Sequence, residues 1–162
     1  MSMLILDIET SGFSPTDDAI IEIAVVRINR GRIVETFSSL VNPHRSLPPH
    51  IVELTGLDDK VLKDAPDFKD IRDELYTFCK AGLIVGYNVD FDKRFLVVND
   101  QRFSHLSYHD YLPDMRECYP YLENHKMHTV AEYLGVRMGT RHSALGDVEI
   151  LLGIMKYSGG WV

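Results

Sequence analysis

The chain has 162 residues, 45% of them hydrophobic, which suits one compact domain that folds without a disulfide or structural metal. Its 24 acidic and 17 basic residues give a net charge of −7, which argues against a passive nucleic-acid binder with a basic face, though bound cations can supply positive charge locally. No run approaches the roughly 20 apolar residues that span a bilayer, Met1 to Leu6 is too short for a signal peptide, and Cys79 and Cys118 form no C-x-x-C pair; a soluble, cytoplasmic protein with two partly buried thiols is expected.

Met3 to Ile8 is a continuous apolar run, as in a strand buried on both faces. Ile20 to Arg30 reads as the next strand, Asn29-Arg30-Gly31-Arg32 as a turn, and Ile33 to Val41 as the returning strand of an antiparallel hairpin. Pro43 to Pro49 is a loop. Pro49 to Leu54 and Asp58 to Leu62 fit short helices separated by Thr55-Gly56. Asp67 is the expected N-cap of a helix carrying Phe68, Ile71, Leu75, Phe78 and Cys79 at helical spacing, which Gly82 ends. Leu83 to Tyr87 reads as a short buried strand, Phe91 to Val98 as a helix, Leu106 to Tyr111 as a strand and Leu112 to Tyr119 as a helix. Ala144, Leu145, Val148, Leu151, Leu152 and Met155 form the apolar stripe of a final helix. The expected fold is α/β: a mixed five-stranded sheet packed by helices, in a single domain over residues 1–162.

Three acidic segments carry the chemistry. Asp7-Ile8-Glu9 ends the first strand, where positions i and i+2 share a face and two carboxylates converge. Adjacent carboxylates repel unless a cation neutralises them, and Mg²⁺ or Mn²⁺ suits oxygen ligands, though a lone D-x-E is ordinarily a solvated strand end. Gly86-Tyr87-Asn88-Val89-Asp90-Phe91-Asp92 runs from a buried strand into a helix start, where either acid ordinarily serves as a cap. Arg141-His142-Ser143-Ala144-Leu145-Gly146-Asp147 opens the last helix. On a regular helix His142 and Asp147 would lie about 140° apart, so they converge only if His142 sits in the entering loop and the helix begins near Ser143 or Ala144.

In this order the segments D-x-E, N-x-x-F-D and H-x-A-x-x-D resemble the DEDDh (DnaQ-like) 3′–5′ exonucleases, from Met3 to about Met155. That family includes proofreading subunits and domains of bacterial replicative polymerases, exonuclease X, ribonuclease T and oligoribonuclease. Thr10-Ser11-Gly12, Ile21-Glu22-Ile23, Glu53-Leu54-Thr55-Gly56-Leu57, Asp110-Tyr111-Leu112 and Arg116 through Pro120 agree with it. The resemblance implies a ribonuclease H-like fold and two divalent cations, Mg²⁺ or Mn²⁺, on Asp7, Glu9, Asp92 and Asp147, with His142 as general base. Asp7 would bridge both ions, Glu9 and Asp147 would hold the nucleophile-side ion, and Asp92 would position the second. Asp90 receives no catalytic role. A terminal nucleotide would meet Ile8, Thr10, Phe13, Leu57, Asn88 and Phe91, because stacking on aromatics tolerates any base. Tyr87 and Thr55 stand where many members have histidine, which bears on substrate preference.

The function so implied is hydrolysis of nucleic-acid strands, DNA first, to nucleoside 5′-monophosphates, in DNA proofreading or repair. Expected partners are a single-stranded 3′ end and a DNA polymerase, with no membrane. The alternative is an RNA-directed exonuclease resembling oligoribonuclease or ribonuclease T. A catalytically silent binding module and a small-molecule phosphatase are readings from other classes. The filled catalytic positions oppose the first, and the H-x-A-x-x-D helix opposes the second.

Overall fold

A computed structural model of the protein describes residues 2–139 and 142–159. The chain opens with three strands, β1 (Ser2–Thr10), β2 (Ile20–Asn29) and β3 (Arg32–Leu40). Arg30 and Gly31, at φ 48° and 69°, supply the two positive φ angles that a tight β2–β3 hairpin requires. Three helices follow, α1 (Pro49–Thr55), α2 (Asp59–Leu62) and α3 (Phe68–Cys79), the last opened by a reciprocal capping box between Asp67 and Asp70. Strand β4 (Gly82–Gly86) leads into α4 (Val89–Asn99), a 3₁₀ turn (Gln101–His105), β5 (Tyr108–Asp110), α5 (Tyr111–Cys118), α6 (Met127–Tyr133) and α7 (Ala144–Tyr157).

The five strands form one mixed sheet in the order β3-β2-β1-β4-β5. Strands β1, β2 and β3 pair antiparallel, whereas β1–β4 and β4–β5 are parallel. Because side chains alternate along a strand, the two faces of β1 meet different helices. Ile5 joins Ala24 and Val26 of β2 in a core with Met115 of α5, Val130 of α6 and Val148, Leu151 and Met155 of α7. Leu4, Leu6 and Ile8 pack on the other face with Leu75 of α3 and Phe95 and Leu96 of α4. A small third cluster joins Ile21 to Leu47, Ile51 and Leu62 beneath α1 and α2.

The mixed five-stranded sheet is therefore as expected, with three local differences. Helix α6 and the 3₁₀ turn were not anticipated. Strand β5 is shorter than Leu106 to Tyr111: Leu106 caps the preceding 3₁₀ turn, and the Asp110 side chain accepts from the backbone N–H of Leu112 at 3.0 Å and turns the chain into α5. The thiols also differ from two partly buried groups: Cys79 is fully buried, which pushes its pKa up to about 12, and Cys118 is exposed. Among the described residues no helix is long and apolar enough to cross a membrane.

Candidate metal centre

Asp7 and Glu9 lie at the end of β1, on the face that packs against α7, opposite Ala24 and Glu22 of β2. A register shift between Glu9 and Thr10 inserts an irregularity just beyond the second acid. Such bulges turn a strand away from its partner and re-aim the side chains beside it. Asp147 arrives from the first turn of α7, whose N-cap Ser143 accepts from the N–H of Gly146 at 3.1 Å. Asp7, Glu9 and Asp147 each offer an oxygen within 4.8 Å of the others. Strand periodicity and one capped helix start thus converge three carboxylates on one point.

Burial raises the pKa of Asp7 well above its ordinary value, and the charges of Asp92, Asp147, Glu9 and Glu22 push it further the same way. Glu9 is pushed up to about 8, chiefly by burial and then by Asp147 and Glu22. Asp7 Oδ2 is enclosed and, among the described residues, has no hydrogen-bond partner. A buried, unpartnered carboxylate oxygen among like charges is costly unless protonated or bound by a cation. The donor set is all oxygen, which fits a hard divalent ion of the Mg²⁺ or Mn²⁺ kind.

Asp92 is placed differently. It is 4% exposed on α4, and its Oδ1 accepts the backbone N–H of Ile8 at 3.0 Å. That bond is possible because β1 and β4 run parallel, so α4 starts beside the carboxyl end of β1. Asp92 lies close enough to raise the pKa of Asp7, yet it is not one of the three clustered carboxylates. Burial raises its own pKa, opposed by the Ile8 hydrogen bond. Asp90, two residues earlier, is exposed. Asn88 is the N-cap of α4 in a left-handed conformation, makes no side-chain cap bond, and donates its N–H to Asp110 Oδ1 at 2.8 Å.

His142 immediately precedes the N-cap of α7, at φ 57°, so it lies in the entering loop and not on the helix. With Asp147 it lines a cavity of about 180 Å³ that also includes Met127 and His128 of α6. Arg141, in the same segment, lies outside the described residues.

The remaining candidates divide into two groups. Phe13 is 85% exposed, and its ring meets Phe91 edge-on at 6.5 Å, beside Asp92. The loop that carries Phe13 is held by Asp18, which accepts from Ser14 N–H at 2.9 Å and from the Ser11 hydroxyl at 3.4 Å. A side chain at Gly12 would sit 2.4 Å from that carboxylate and displace it from its hydrogen bonds to Ser14 and Ser11. Thr10 is buried and donates its hydroxyl to the Gly12 carbonyl at 2.6 Å, which fixes the same turn. Leu57 instead packs against the cluster of Ile21, Leu47, Ile51 and Leu62.

One residue that received no role from the sequence belongs here. Glu22 stands opposite Glu9 across the sheet, and its Oε2 accepts the backbone N–H of Ala144 at 3.2 Å. An acid near the start of a largely apolar strand was the available signal.

The chain matches the RNase T family, described as exonuclease, over residues 4–155. It is 34% identical to the PolC-type DNA polymerase III of Oceanobacillus iheyensis over 155 residues, covering 91% of this chain and 11% of the polymerase. Against the PolC-type enzyme of Bacillus subtilis it is 33% identical over 162 residues, covering 94% of this chain and 11% of the polymerase. The chain thus spans about a tenth of the length of these relatives, by the 11% coverage. Exonuclease X in complex with 5′-overhanging duplex DNA superposes with a TM-score of 0.75 at 24% identity, over 99% of this chain and 94% of that one. Escherichia coli exonuclease I in complex with a dT13 oligonucleotide does so with a TM-score of 0.81 at 20% identity, over 96% of this chain and 40% of that one. At these identities the two structures establish the shared ribonuclease H-like fold.

Proposed function

Because this chain belongs to the RNase T exonuclease family, of the DnaQ-like kind, we propose that it removes nucleotides one at a time from the 3′ end of a nucleic-acid strand, DNA in the first place. The observation that carries this reading is the convergence of Asp7, Glu9 and Asp147 within 4.8 Å around an unpartnered, enclosed Asp7 oxygen. Asp7, Glu9 and Asp147 would hold the divalent cations, and Asp92, which orients the end of β1 through Ile8, would help to place the second. When bound, two cations stabilise charge on the attacking and leaving oxygens of the phosphodiester.

The protein's own groups do the rest. His142 takes the proton of the attacking water as its oxygen bonds to phosphorus, and the bond from phosphorus to the 3′-oxygen of the preceding nucleotide breaks. The electron pair of that bond leaves on the 3′-oxygen, which takes a proton from solvent to become the new 3′-hydroxyl. The released product is a nucleoside 5′-monophosphate. Phe13 and Phe91 receive the terminal base by stacking, without regard to its identity. Ile8, Thr10 and Asn88 complete the terminal pocket, with Leu57 bordering it from the small cluster beneath α1 and α2. The likeness to PolC-type polymerases favours a proofreading or repair setting in the cytoplasm, with a DNA polymerase as partner.

The test uses matched 5′-labelled DNA and RNA strands with Mg²⁺, Mn²⁺ or EDTA. Shortening from the 3′ end, dependent on cation and at least as fast on DNA, is the expected result. Faster cleavage of RNA would select the RNA-directed reading, and cleavage in excess chelator would contradict cation dependence.

A further inference from the structure

A larger depression, none of whose lining residues belongs to the carboxylate cluster, lies on the outer side of α4. It has a volume of about 880 Å³ and lies between Pro15 in the β1–β2 loop and the outer face of α4, with Asp90, Lys93, Arg94, Val97 and Val98 on its walls. These α4 positions recur at helical spacing on one side, while Asp92, Phe95 and Leu96 are buried on the other. From Asp92 to Val98 the helix rises about 9 Å, so the groove leads away from the carboxylates along α4. The Phe13–Phe91 pair is carried by the same two elements as the groove, with Phe13 two residues before Pro15 and Phe91 next to Asp90 in the chain.

The lining combines apolar surface with two cations. Val98 is 51% exposed, and Pro15 and Val97 are half-buried. Lys93 lies over the Tyr108 ring at 5.0 Å, and the Arg94 Nε–H donates to the Asp90 carbonyl at 3.2 Å. Among the described residues, neither cation has a carboxylate partner in an ion pair. Asp90 is the groove's one acid, set against two cations in a chain of net charge −7. Apolar surface for bases next to cations for phosphates is the combination a single strand requires.

We propose that this groove binds the nucleotides upstream of the terminal one, with Lys93 and Arg94 on their phosphates and Pro15, Val97 and Val98 beneath their bases. The assignment rests on the exonuclease reading. It gives the strand a continuous path from the groove, past Phe13 and Phe91, to the carboxylates.

Two substrates separate the groove from the centre. Thymidine 5′-p-nitrophenyl phosphate presents one phosphodiester and ends before the groove, whereas oligo-dT of two to ten nucleotides extends into it. For the wild type, kcat/KM is expected to rise with oligonucleotide length. In Lys93→Ala/Arg94→Ala the rise should be lost, on the order of tenfold for the longer strands, and the salt slope of log kcat/KM should flatten by about 1.4 for two lost phosphate contacts. Hydrolysis of the nitrophenyl ester should stay within about twofold, which also reports an intact fold and centre. An unchanged length dependence in the variant would overturn the proposal and leave the groove as a surface for a protein partner. An equal loss on both substrates would overturn it too, by showing that the two residues act at the centre. If the wild type hydrolyses neither substrate, the exonuclease reading fails and the groove assignment falls with it.

Discussion

The carboxylate of Glu22 accepts the backbone N–H of Ala144 at 3.2 Å, joining the second strand to the first turn of the helix that carries Asp147. Since Glu22 also stands opposite Glu9, one side chain ties together the two elements that bring Glu9 and Asp147 within reach of each other. Glu22→Gln keeps a carbonyl acceptor for Ala144, and its turnover should stay within a few-fold of wild type. Glu22→Ala removes the acceptor, worth about 1 kcal/mol, and should lower kcat on the order of tenfold by loosening the start of α7. Equal damage in both variants, measured by single-turnover hydrolysis, would show that the charge of Glu22 matters and not its hydrogen bond.

Without cations the site should make the protein less stable as pH rises. The Glu9 carboxyl is held up near 8 against an ordinary value of 4.5, and Asp7 is raised as well. Between those values the folded protein keeps a proton that the unfolded chain has released, so raising the pH favours unfolding. The metal-free melting temperature should therefore fall from pH 5 to about 8, the raised Glu9 value, and Asp7→Asn should flatten the fall while abolishing turnover. A melting temperature that climbs through this window would contradict the protonated cluster.

The two acids at the start of α4 should behave differently. Asp92 is buried against Ile8, so Asp92→Asn, which weakens a charge-assisted bond and removes a charge beside Asp7, should reduce turnover severely. Asp90 is exposed, and Asp90→Asn should retain hydrolysis of thymidine 5′-p-nitrophenyl phosphate within a few-fold. The reverse order of effects would mean that the wrong acid has been placed at the centre.

His142→Ala should cut the single-turnover rate on the order of 10²–10⁴-fold, the usual contribution of a positioned general base. Cation affinity should change far less, because Asp7, Glu9 and Asp147 remain. A variant with a near-normal rate would leave His142 as a loop residue that merely turns the chain into α7.

How far the site could be read from the sequence follows from the range of each interaction. The shared face of Asp7 and Glu9 was legible because strand alternation is strictly local, and the apolar stripe of α7 because helical periodicity is local too. A joint role for the acids, by contrast, was legible only from the three segments taken together. The opening hairpin was marked by Arg30-Gly31. What the sequence withheld depends on pairing across the chain. The Glu22–Ala144 bond spans 122 residues, and the shift after Glu9 exists only in the register with β2. The bond from the Ile8 N–H to Asp92, whose charge also bears on Asp7, follows from the parallel β1–β4 pair. Helix α6 escaped notice because it is seven residues long and Lys126, at its N-cap, makes no side-chain cap bond.

The most direct test of the account is calorimetric titration of the metal-free protein with Mn²⁺ at pH 7, below the raised Glu9 value of about 8. Binding requires ionised carboxylates, so it should release protons, visible as a heat that changes with the ionisation enthalpy of the buffer. Wild type should bind Mn²⁺ with such release, and Asp7→Ala should lose most of the affinity while remaining folded. Unchanged binding by Asp7→Ala, or no binding by the folded wild type even with an oligonucleotide present, would contradict a metal centre on Asp7, Glu9 and Asp147.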